Sequence, residues 1–188
     1  LIQIGTNFSN DYFDYLKGAD NEERLGPLRV TQAGLVTPET MFRNFVLTFG
    51  LAALVGLYLV YRGGWPIVLI GLLSIASGIL YTAGPWPLGY LGLGDLFVLI
   101  FFGPVAVCGT FYVQALELTE IVIYAGLGPG LLATALLVVN NLRDEPTDRK
   151  AGKLTLAVRF GPAFARAEYL ALFASAVMLP VLLASWLN

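Results

Sequence analysis

Two polar segments of this sequence carry asparagine and aspartate side chains at intervals of four residues. Asn10 and Asp14 form such a pair in the first segment, and Asp144 and Asp148 repeat the interval in the second. Residues four apart share one face of a helix, so each pair presents its oxygens to a common point. Hard cations prefer oxygen ligands, and Mg²⁺ takes one or two carboxylates together with the phosphates of its substrate. The segments therefore predict a Mg²⁺ site, with Mn²⁺ as the alternative ion.

Basic residues accompany both acidic segments. Arg29 follows the first segment, and Arg149, Lys150 and Lys153 end the second. Guanidinium and ammonium groups bind phosphate oxygens and offset the negative charge that grows on a departing diphosphate. For each basic residue taken alone, the alternative is an ordinary loop charge that anchors a span at the membrane surface. Together the acidic pairs and the basic residues predict a site for a metal-bound diphosphate.

The composition around these segments is that of a membrane protein. Of the 188 residues, 57% are hydrophobic and only 13% are charged, whereas soluble domains carry about a quarter charged residues. Five apolar stretches approach or exceed the roughly 20 residues that cross a bilayer. They predict spans over residues 41–61, 65–81, 95–113, 119–141 and 163–187, and residues 1–8 are interpreted as the end of an earlier helix. The predicted fold is all-α, a polytopic transmembrane helix bundle.

The composition also excludes several classes of function. The net charge is −2 and no basic run alternates with aromatic residues, which argues against nucleic-acid binding. Histidine is absent, so Ser-His nucleophilic catalysis and histidine ligation of zinc or haem are excluded. The single cysteine, Cys108, lies inside an apolar stretch and cannot form a disulfide within the chain. Carboxylates, amides, hydroxyls and basic groups remain as the available chemistry.

The order of the spans predicts that the two acidic segments lie on one face of the membrane. Four predicted spans separate them, and an even number of crossings returns the chain to the side where it started. Four basic residues belong to the first polar region and six to the second, so that only Arg62 falls on the other side. By the positive-inside rule the shared face is cytoplasmic. We therefore expect the two segments to form one site at the cytoplasmic face.

The motifs resemble those of a known family. Residues 10–14, 17–18 and 20, followed by residues 24–29 and Gln32, resemble the first signature of the UbiA-type intramembrane prenyltransferases. The second signature is resembled by residues 140–144, 148–149, 152–153, 155–156 and 158–161. Between them, four short motifs are similar to the menaquinone-pathway branch, the 1,4-dihydroxy-2-naphthoate polyprenyltransferases. These motifs are Tyr81-Thr82, Pro87-Leu88-Gly89-Tyr90, Gly92-Leu93-Gly94-Asp95 and Phe101-Phe102-Gly103-Pro104.

The resemblance implies an activity. A prenyl chain would pass from a polyprenyl diphosphate to 1,4-dihydroxy-2-naphthoate, with release of diphosphate and CO₂, to give a demethylmenaquinol. Residues 1–188 would form a single transmembrane prenyltransferase domain, truncated at both ends relative to the nine helices typical of the family. The protein would be a multi-pass protein of a bacterial cell membrane, in contact with the lipid bilayer.

The resemblance also assigns the site residues. The catalytic residues would be Asp14, Asp144 and Asp148. The metal ligands would be Asn10, Asp11, Asp14, Asp20, Asp144 and Asp148. The substrate-binding residues would be Lys17, Arg29, Tyr81, Asn141, Arg149 and Lys153. One departure concerns the first motif, because Gly18 stands where the superfamily often has a third acidic residue, and Asp20 would substitute from a loop.

Three other readings stay open from the sequence. A related UbiA-type enzyme could act on another acceptor, such as a homogentisate, a 4-hydroxybenzoate or a chlorophyllide. A secondary transporter would also place carboxylates in a helix bundle, although typically near the membrane midplane rather than at helix ends. A membrane scaffold without chemistry leaves both acidic segments unexplained. Aromatic residues such as Tyr81 and Tyr90 could shelter an allylic cation or form part of an interfacial belt.

Overall fold

The computed structural model describes residues 1–19 and 25–187, and all regular secondary structure in that part of the chain is helical. The helices are α1 (Ile2–Leu16), α2 (Pro38–Gly63), α3 (Trp65–Leu80), α4 (Gly94–Ile100), α5 (Ala106–Ala115), α6 (Glu120–Lys150) and α7 (Leu156–Leu187). A π-helical turn, Phe101–Val105, joins α4 to α5 and makes them one continuous segment, Gly94–Ala115. The predicted all-α fold class is confirmed.

Four helical segments are long and apolar enough to cross a membrane: α2, Gly94–Ala115, α6 and the part of α7 up to Ser185. The fifth predicted span corresponds to α3, which is equally apolar in character but has only 16 residues. At a rise of 1.5 Å per residue, α3 is about 24 Å long, slightly less than the hydrocarbon core of a typical bilayer. Each predicted span is therefore a helix, and one of them is short.

The sequence underestimated the length of three helices at their polar ends. α1 continues past residue 8 to Leu16, and α6 continues past residue 141, through Pro146, to Lys150. A proline inside a helix removes one main-chain hydrogen bond. Here the Thr147 hydroxyl donates to the Asp144 carbonyl at 2.9 Å, and Arg149 pairs with Glu145 one turn away. α7 begins at Leu156, one turn before a break at Gly161 and Pro162.

Glycines allow close approach between the π-helical turn and α6. A Cβ atom on Gly130 would lie 2.5 Å from the Leu99 carbonyl oxygen and 2.9 Å from the Cα atom of Gly103. A Cβ atom on Gly103 would in turn lie 2.9 Å from the Gly126 carbonyl oxygen. In a bilayer, helices associate through tight packing of small residues, because lipid is as apolar as the side chains. These three glycines therefore fix the distance between the Gly94–Ala115 segment and α6.

The protein core is small, and most large apolar side chains face outward. Between α6 and α7, Val138, Ala157 and Ala165 are buried, with Leu142, Tyr169 and Leu172 packed against them. Most of the large apolar side chains of α2, by contrast, are exposed. This distribution is expected where lipid rather than water surrounds the bundle.

One end of the bundle gathers the polar segments. The Leu154 main-chain N–H, just after α6, donates to the Tyr90 carbonyl oxygen in the α3–α4 connection at 2.9 Å. Lys17, just after α1, donates to the Thr82 carbonyl oxygen in the same connection. The C-terminal ends of α1, α3 and α6 thus meet, as the parity of the spans predicts. We call this region the polar end.

Candidate active site

Asp14 is the most deeply buried acid among the described residues of the polar end. It is 2% exposed. Its Oδ1 atom accepts a hydrogen bond from the Tyr90 hydroxyl at 2.9 Å, and its Oδ2 atom accepts one from Lys153 Nζ, also at 2.9 Å. A buried carboxylate is stable only when such partners replace its hydration. The ion pair with Lys153 joins the first acidic segment directly to the second.

Tyr90 connects the end of α1 to the α6–α7 connection. Besides its hydrogen bond to Asp14, its ring lies beneath two ammonium groups, 4.7 Å from Lys17 Nζ and 5.0 Å from Lys153 Nζ. An ammonium within about 6 Å of an aromatic centroid is attracted by the ring quadrupole. The sequence singled out Tyr90 only as one of several aromatics. Tyr90 lies in a non-helical connection. Its contacts could not be predicted, because the sequence of such a connection has no periodic pattern.

Lys17 is held against the α3–α4 connection by hydrogen bonds to main-chain carbonyl groups, of Thr82 and, at 3.5 Å, of Gly84. Partial burial lowers the pKa of its ammonium group, the Asp14 carboxylate opposes that change, and nearby Lys153 lowers the pKa further. The two cations Lys17 and Lys153 therefore stand close together at the polar end, and the Asp14 carboxylate interacts with both. Such an arrangement favours the binding of an additional anion.

Asn10 and Asp11 have structural partners in this arrangement. The Asn10 side-chain oxygen accepts a hydrogen bond from the Thr82 hydroxyl at 3.0 Å. Asp11 is buried, and its Oδ1 atom accepts a hydrogen bond from the Thr31 main-chain N–H at 3.3 Å. These contacts attach α1 to the α3–α4 connection and to the α1–α2 connection. Asp20, the third acidic residue predicted for this segment, lies outside the described residues.

The second acidic segment forms the last turns of α6. Asp144 accepts two hydrogen bonds from the guanidinium group of Arg143, each at 2.7 Å. Arg149 pairs with Glu145 and also donates to the Val158 carbonyl oxygen at 3.2 Å. Arg149 therefore fastens the end of α6 to the start of α7. The predicted diphosphate ligand Arg149 has a structural partner, as Lys153 does.

Tyr81 lies between the acidic segments. Two glycines make room for the Tyr81 ring. A Cβ atom on Gly89 would lie 2.9 Å from Tyr81 Cε1, and one on Gly94 would lie 2.6 Å from the Tyr81 hydroxyl. Burial raises the pKa of the Tyr81 phenol, and the carboxylates of Asp95, Asp14 and Asp148 raise it further. One phenol therefore lies within electrostatic range of both acidic segments. Of the remaining predicted ligands, Asn141 on α6 and Arg29 in the α1–α2 connection are half-buried.

The described residues contain no group of three or more Asp, Glu, Cys or His side chains placed to hold a metal ion. The available donors are nevertheless those of a hard-cation site, since every predicted ligand offers oxygen. Mg²⁺ bound by one or two carboxylates together with substrate phosphates needs no such group of three. The carboxylates of Asp14 and Asp144 are each paired with a cation. The six predicted metal ligands therefore fit Mg²⁺ in their chemistry, and their ligation stays a prediction.

Comparison with known proteins adds independent evidence. The chain is 43% identical to 1,4-dihydroxy-2-naphthoate octaprenyltransferase of Mycobacterium tuberculosis over 182 residues, 97% of this chain and 62% of the relative. It is 45% identical to the enzyme of that name from Escherichia coli over 172 residues, 88% of this chain and 56% of the relative. It is 32% identical to UbiA prenyltransferase domain-containing protein 1 of Mus musculus over 168 residues, 87% of this chain and 48% of the relative.

The chain spans less than two thirds of the length of each of these relatives. No solved structure matches it. The model of the UbiA prenyltransferase family matches residues 1–188, the whole of the sequence. Its apolar helices and this match make it an integral membrane protein. Together with the resemblance of its two acidic segments to the family signatures, this match shows that the chain belongs to the UbiA prenyltransferase family.

Proposed function

We propose that the protein transfers a prenyl chain from a polyprenyl diphosphate to 1,4-dihydroxy-2-naphthoate, releasing diphosphate and CO₂ and forming a demethylmenaquinol. The observation that carries this proposal is the 43% identity over 97% of the chain to a relative named for that acceptor. The arrangement of the polar end supports it, because an acidic segment from each half of the chain meets there through the Asp14–Lys153 ion pair.

The residues of the polar end suit the binding of a diphosphate. Lys17 and Lys153 stand on the ring of Tyr90, and Arg149 lies at the end of α6. Cationic donors at this point would hold the leaving group and stabilise the charge that it gains as the allylic carbon–oxygen bond breaks. Tyr81, beside both acidic segments, would shelter the allylic cation from water. The carbon of the acceptor that bears the carboxylate then attacks, and the electrons of the bond to the departing CO₂ restore the aromatic ring.

We further propose that the reaction depends on Mg²⁺, with Mn²⁺ able to replace it. Asp14, Asp144 and Asp148 would hold the ion, and Asn10, Asp11 and Asp20 would complete the set of oxygen donors. Bound Mg²⁺ would neutralise charge on the diphosphate. Lys153 is paired with Asp14 in this structure. If Asp14 held the ion, Lys153 would leave this carboxylate and bind diphosphate oxygens.

The polar end is proposed to face the cytoplasm. Ten of the 11 basic residues belong to the polar regions on that side, with Arg62 the exception, and the positive-inside rule assigns such loops to the cytoplasm. The named relatives in Mycobacterium tuberculosis and Escherichia coli support a bacterial cell membrane as the location. The lipid bilayer would then supply the long prenyl donor directly to the bundle.

The test is a prenylation assay on the full-length protein with a panel of acceptors. We expect transfer to 1,4-dihydroxy-2-naphthoate to exceed transfer to 4-hydroxybenzoate, homogentisate or a chlorophyllide by at least an order of magnitude. Preference for any of the other acceptors would leave the family assignment unchanged and would contradict the proposed acceptor. Movement of an ion or solute across liposomes without prenyl transfer would favour a transporter instead.

A further inference from the structure

Asp95 is a buried acid that the proposed mechanism leaves without a function. It lies in the first turn of α4, where a span begins, and is 7% exposed. Its Oδ1 atom is buried and has no hydrogen-bond partner among the described residues. Ionisable side chains inside spans are costly, and they usually face a partner, a polar pathway or a ligand. An unsatisfied buried oxygen at this position therefore requires an explanation.

Asp95 lies beside the same phenol as the two acidic segments. The preceding residue, Gly94, contacts Tyr81 so closely that a Cβ atom would stand 2.6 Å from the tyrosine hydroxyl. After burial, Asp95 is the largest cause of the raised pKa of Tyr81, ahead of Asp14 and Asp148. The Asp95 carboxyl group is therefore close to the place where the acidic segments meet, on a helix that leads into the membrane.

The surroundings of Asp95 favour a neutral hydrogen-bond donor over an anion. Glu168 on α7 is a second carboxyl group within electrostatic range of Asp95, so an anionic ligand group would be repelled. The Thr134 hydroxyl of α6 donates to the Gly130 carbonyl oxygen at 2.8 Å, and its contact with Asp95 is to the main-chain oxygen. The Asp95 Oδ1 atom therefore has no hydrogen-bond donor among the described residues. A ligand hydroxyl would supply one.

We propose that Asp95 binds the aromatic acceptor by accepting a hydrogen bond from its 4-hydroxyl group, an inference that rests on the proposed function. In 1,4-dihydroxy-2-naphthoate the 1-hydroxyl is adjacent to the carboxylate and bonds to it internally, whereas the 4-hydroxyl has no internal partner. Pairing with Asp95 satisfies both groups. It also turns the carboxylate of the acceptor away from Asp95 and Glu168, towards the cations of the polar end. Asp95 would therefore determine which hydroxylated aromatic is accepted and how it is oriented.

The experiment measures acceptor binding to the full-length protein in lipid nanodiscs, under anaerobic conditions. The probes are 1,4-dihydroxy-2-naphthoate and 1-hydroxy-2-naphthoate, which lacks the 4-hydroxyl. We expect the parent protein to prefer the dihydroxy compound about tenfold or more, since a polar site rejects a ligand that leaves it unpaired. In Asp95→Leu the preference should fall to about one. Asp95→Asn keeps an acceptor oxygen of the same shape and should retain part of the preference.

Glu120→Gln is the matched control, because Glu120 also lies in the first turn of a span, at the far end of the bundle, and is exposed. It should keep the full preference, and binding of the prenyl diphosphate should be unchanged in all variants. The proposal for Asp95 would be overturned if Asp95→Leu kept the parent preference. It would also be overturned if Asp95→Leu lost prenyl diphosphate binding and thermal stability to the same extent as acceptor binding. A parent protein that prenylates no naphthoate would instead overturn the proposed function.

Discussion

Asp14 joins the first acidic segment to the second at the polar end. Both of its carboxylate oxygens already have donors, the Tyr90 hydroxyl and the Lys153 ammonium group. Removing one partner of a buried ion pair leaves an uncompensated charge, which is strongly destabilising. The Tyr90 hydroxyl and the Lys153 ammonium group therefore compensate the burial of the Asp14 carboxylate. The same pair explains how residues 139 positions apart are held together.

Asp14, Asp144 and Asp148 are the three aspartates proposed to be catalytic. Asp14→Asn, Asp144→Asn and Asp148→Asn each remove a charge while nearly preserving shape. We expect each change to lower kcat by about a hundredfold or more, because electrostatic stabilisation of a leaving group contributes several kcal/mol to catalysis. Steady-state transfer rates, compared at equal membrane expression, give the measurement. Glu120→Gln should leave the rate unchanged, and near-parent activity in all three aspartate variants would contradict the assignment.

The second prediction separates the two functions of Tyr90. Tyr90→Phe removes the hydrogen bond to Asp14 but keeps the ring beneath Lys17 and Lys153. A hydrogen bond to a charged group contributes about 1.5–3 kcal/mol, so kcat/KM for the donor should fall about tenfold or more. Tyr90→Leu also removes the ring and should lose more. Equal activity of the two variants would show that the ring contributes nothing.

At the scale of elements, the α3–α4 connection determines the shape of the polar end. Its residues contact α1 through Thr82, the α6–α7 connection through Tyr90, and α7 through Leu91. Arg159 reinforces the second contact, since it donates to the carbonyl oxygens of both Leu154 and Leu91. A connection without regular structure is thus positioned by hydrogen bonds to α1, to the α6–α7 connection and to α7.

Two glycines test the importance of this packing. Gly92 and Gly152 both have a φ of +72°, which is unfavourable for any other residue, but only Gly92 is crowded. A Cβ atom on Gly92 would lie 2.5 Å from the Leu154 carbonyl oxygen, whereas one on Gly152 meets no atom within 4 Å. We expect Gly152→Ala to cost about 1 kcal/mol through its backbone alone. Gly92→Ala should cost several kcal/mol and lower activity as well, because the connection cannot dock.

Thermal unfolding in detergent, followed together with transfer activity, gives the comparison between the two glycine variants. Equal effects would mean that the backbone conformation matters and the contact with Leu154 does not. A larger effect at Gly152 would contradict the packing described for this connection.

The helices could be predicted from the sequence more completely in the membrane than at its surface. Apolar stretches located each membrane-embedded helix, because a span must satisfy its main-chain groups internally. The same signal fails at polar ends, where α6 continues through Pro146 although no apolar pattern marks it. Side-chain partners such as Arg149 and Glu145 sustain that part of the helix, and their pairing depends on the completed turn.

At the scale of the whole molecule, the parity of the spans predicted that two distant acidic segments meet. The Asp14–Lys153 pair and the hydrogen bond between Leu154 and Tyr90 bring the segments together as expected. The particular partners could not be predicted, since Tyr90 and Asp95 belong to a connection and a helix start whose positions depend on the packed bundle. Asp95 in particular looks like an ordinary interfacial charge until its burial is known.

The most direct measurement follows the carboxyl carbon of the acceptor. The full-length protein is given a prenyl diphosphate, Mg²⁺ and 1,4-dihydroxy-2-naphthoate labelled with ¹⁴C in its carboxyl group. The proposed reaction predicts equal amounts of prenylated product, diphosphate and labelled CO₂, with all three lost in excess EDTA and restored by added Mg²⁺. Prenyl transfer that continues undiminished in EDTA, or a prenylated product that retains the label, would contradict the account.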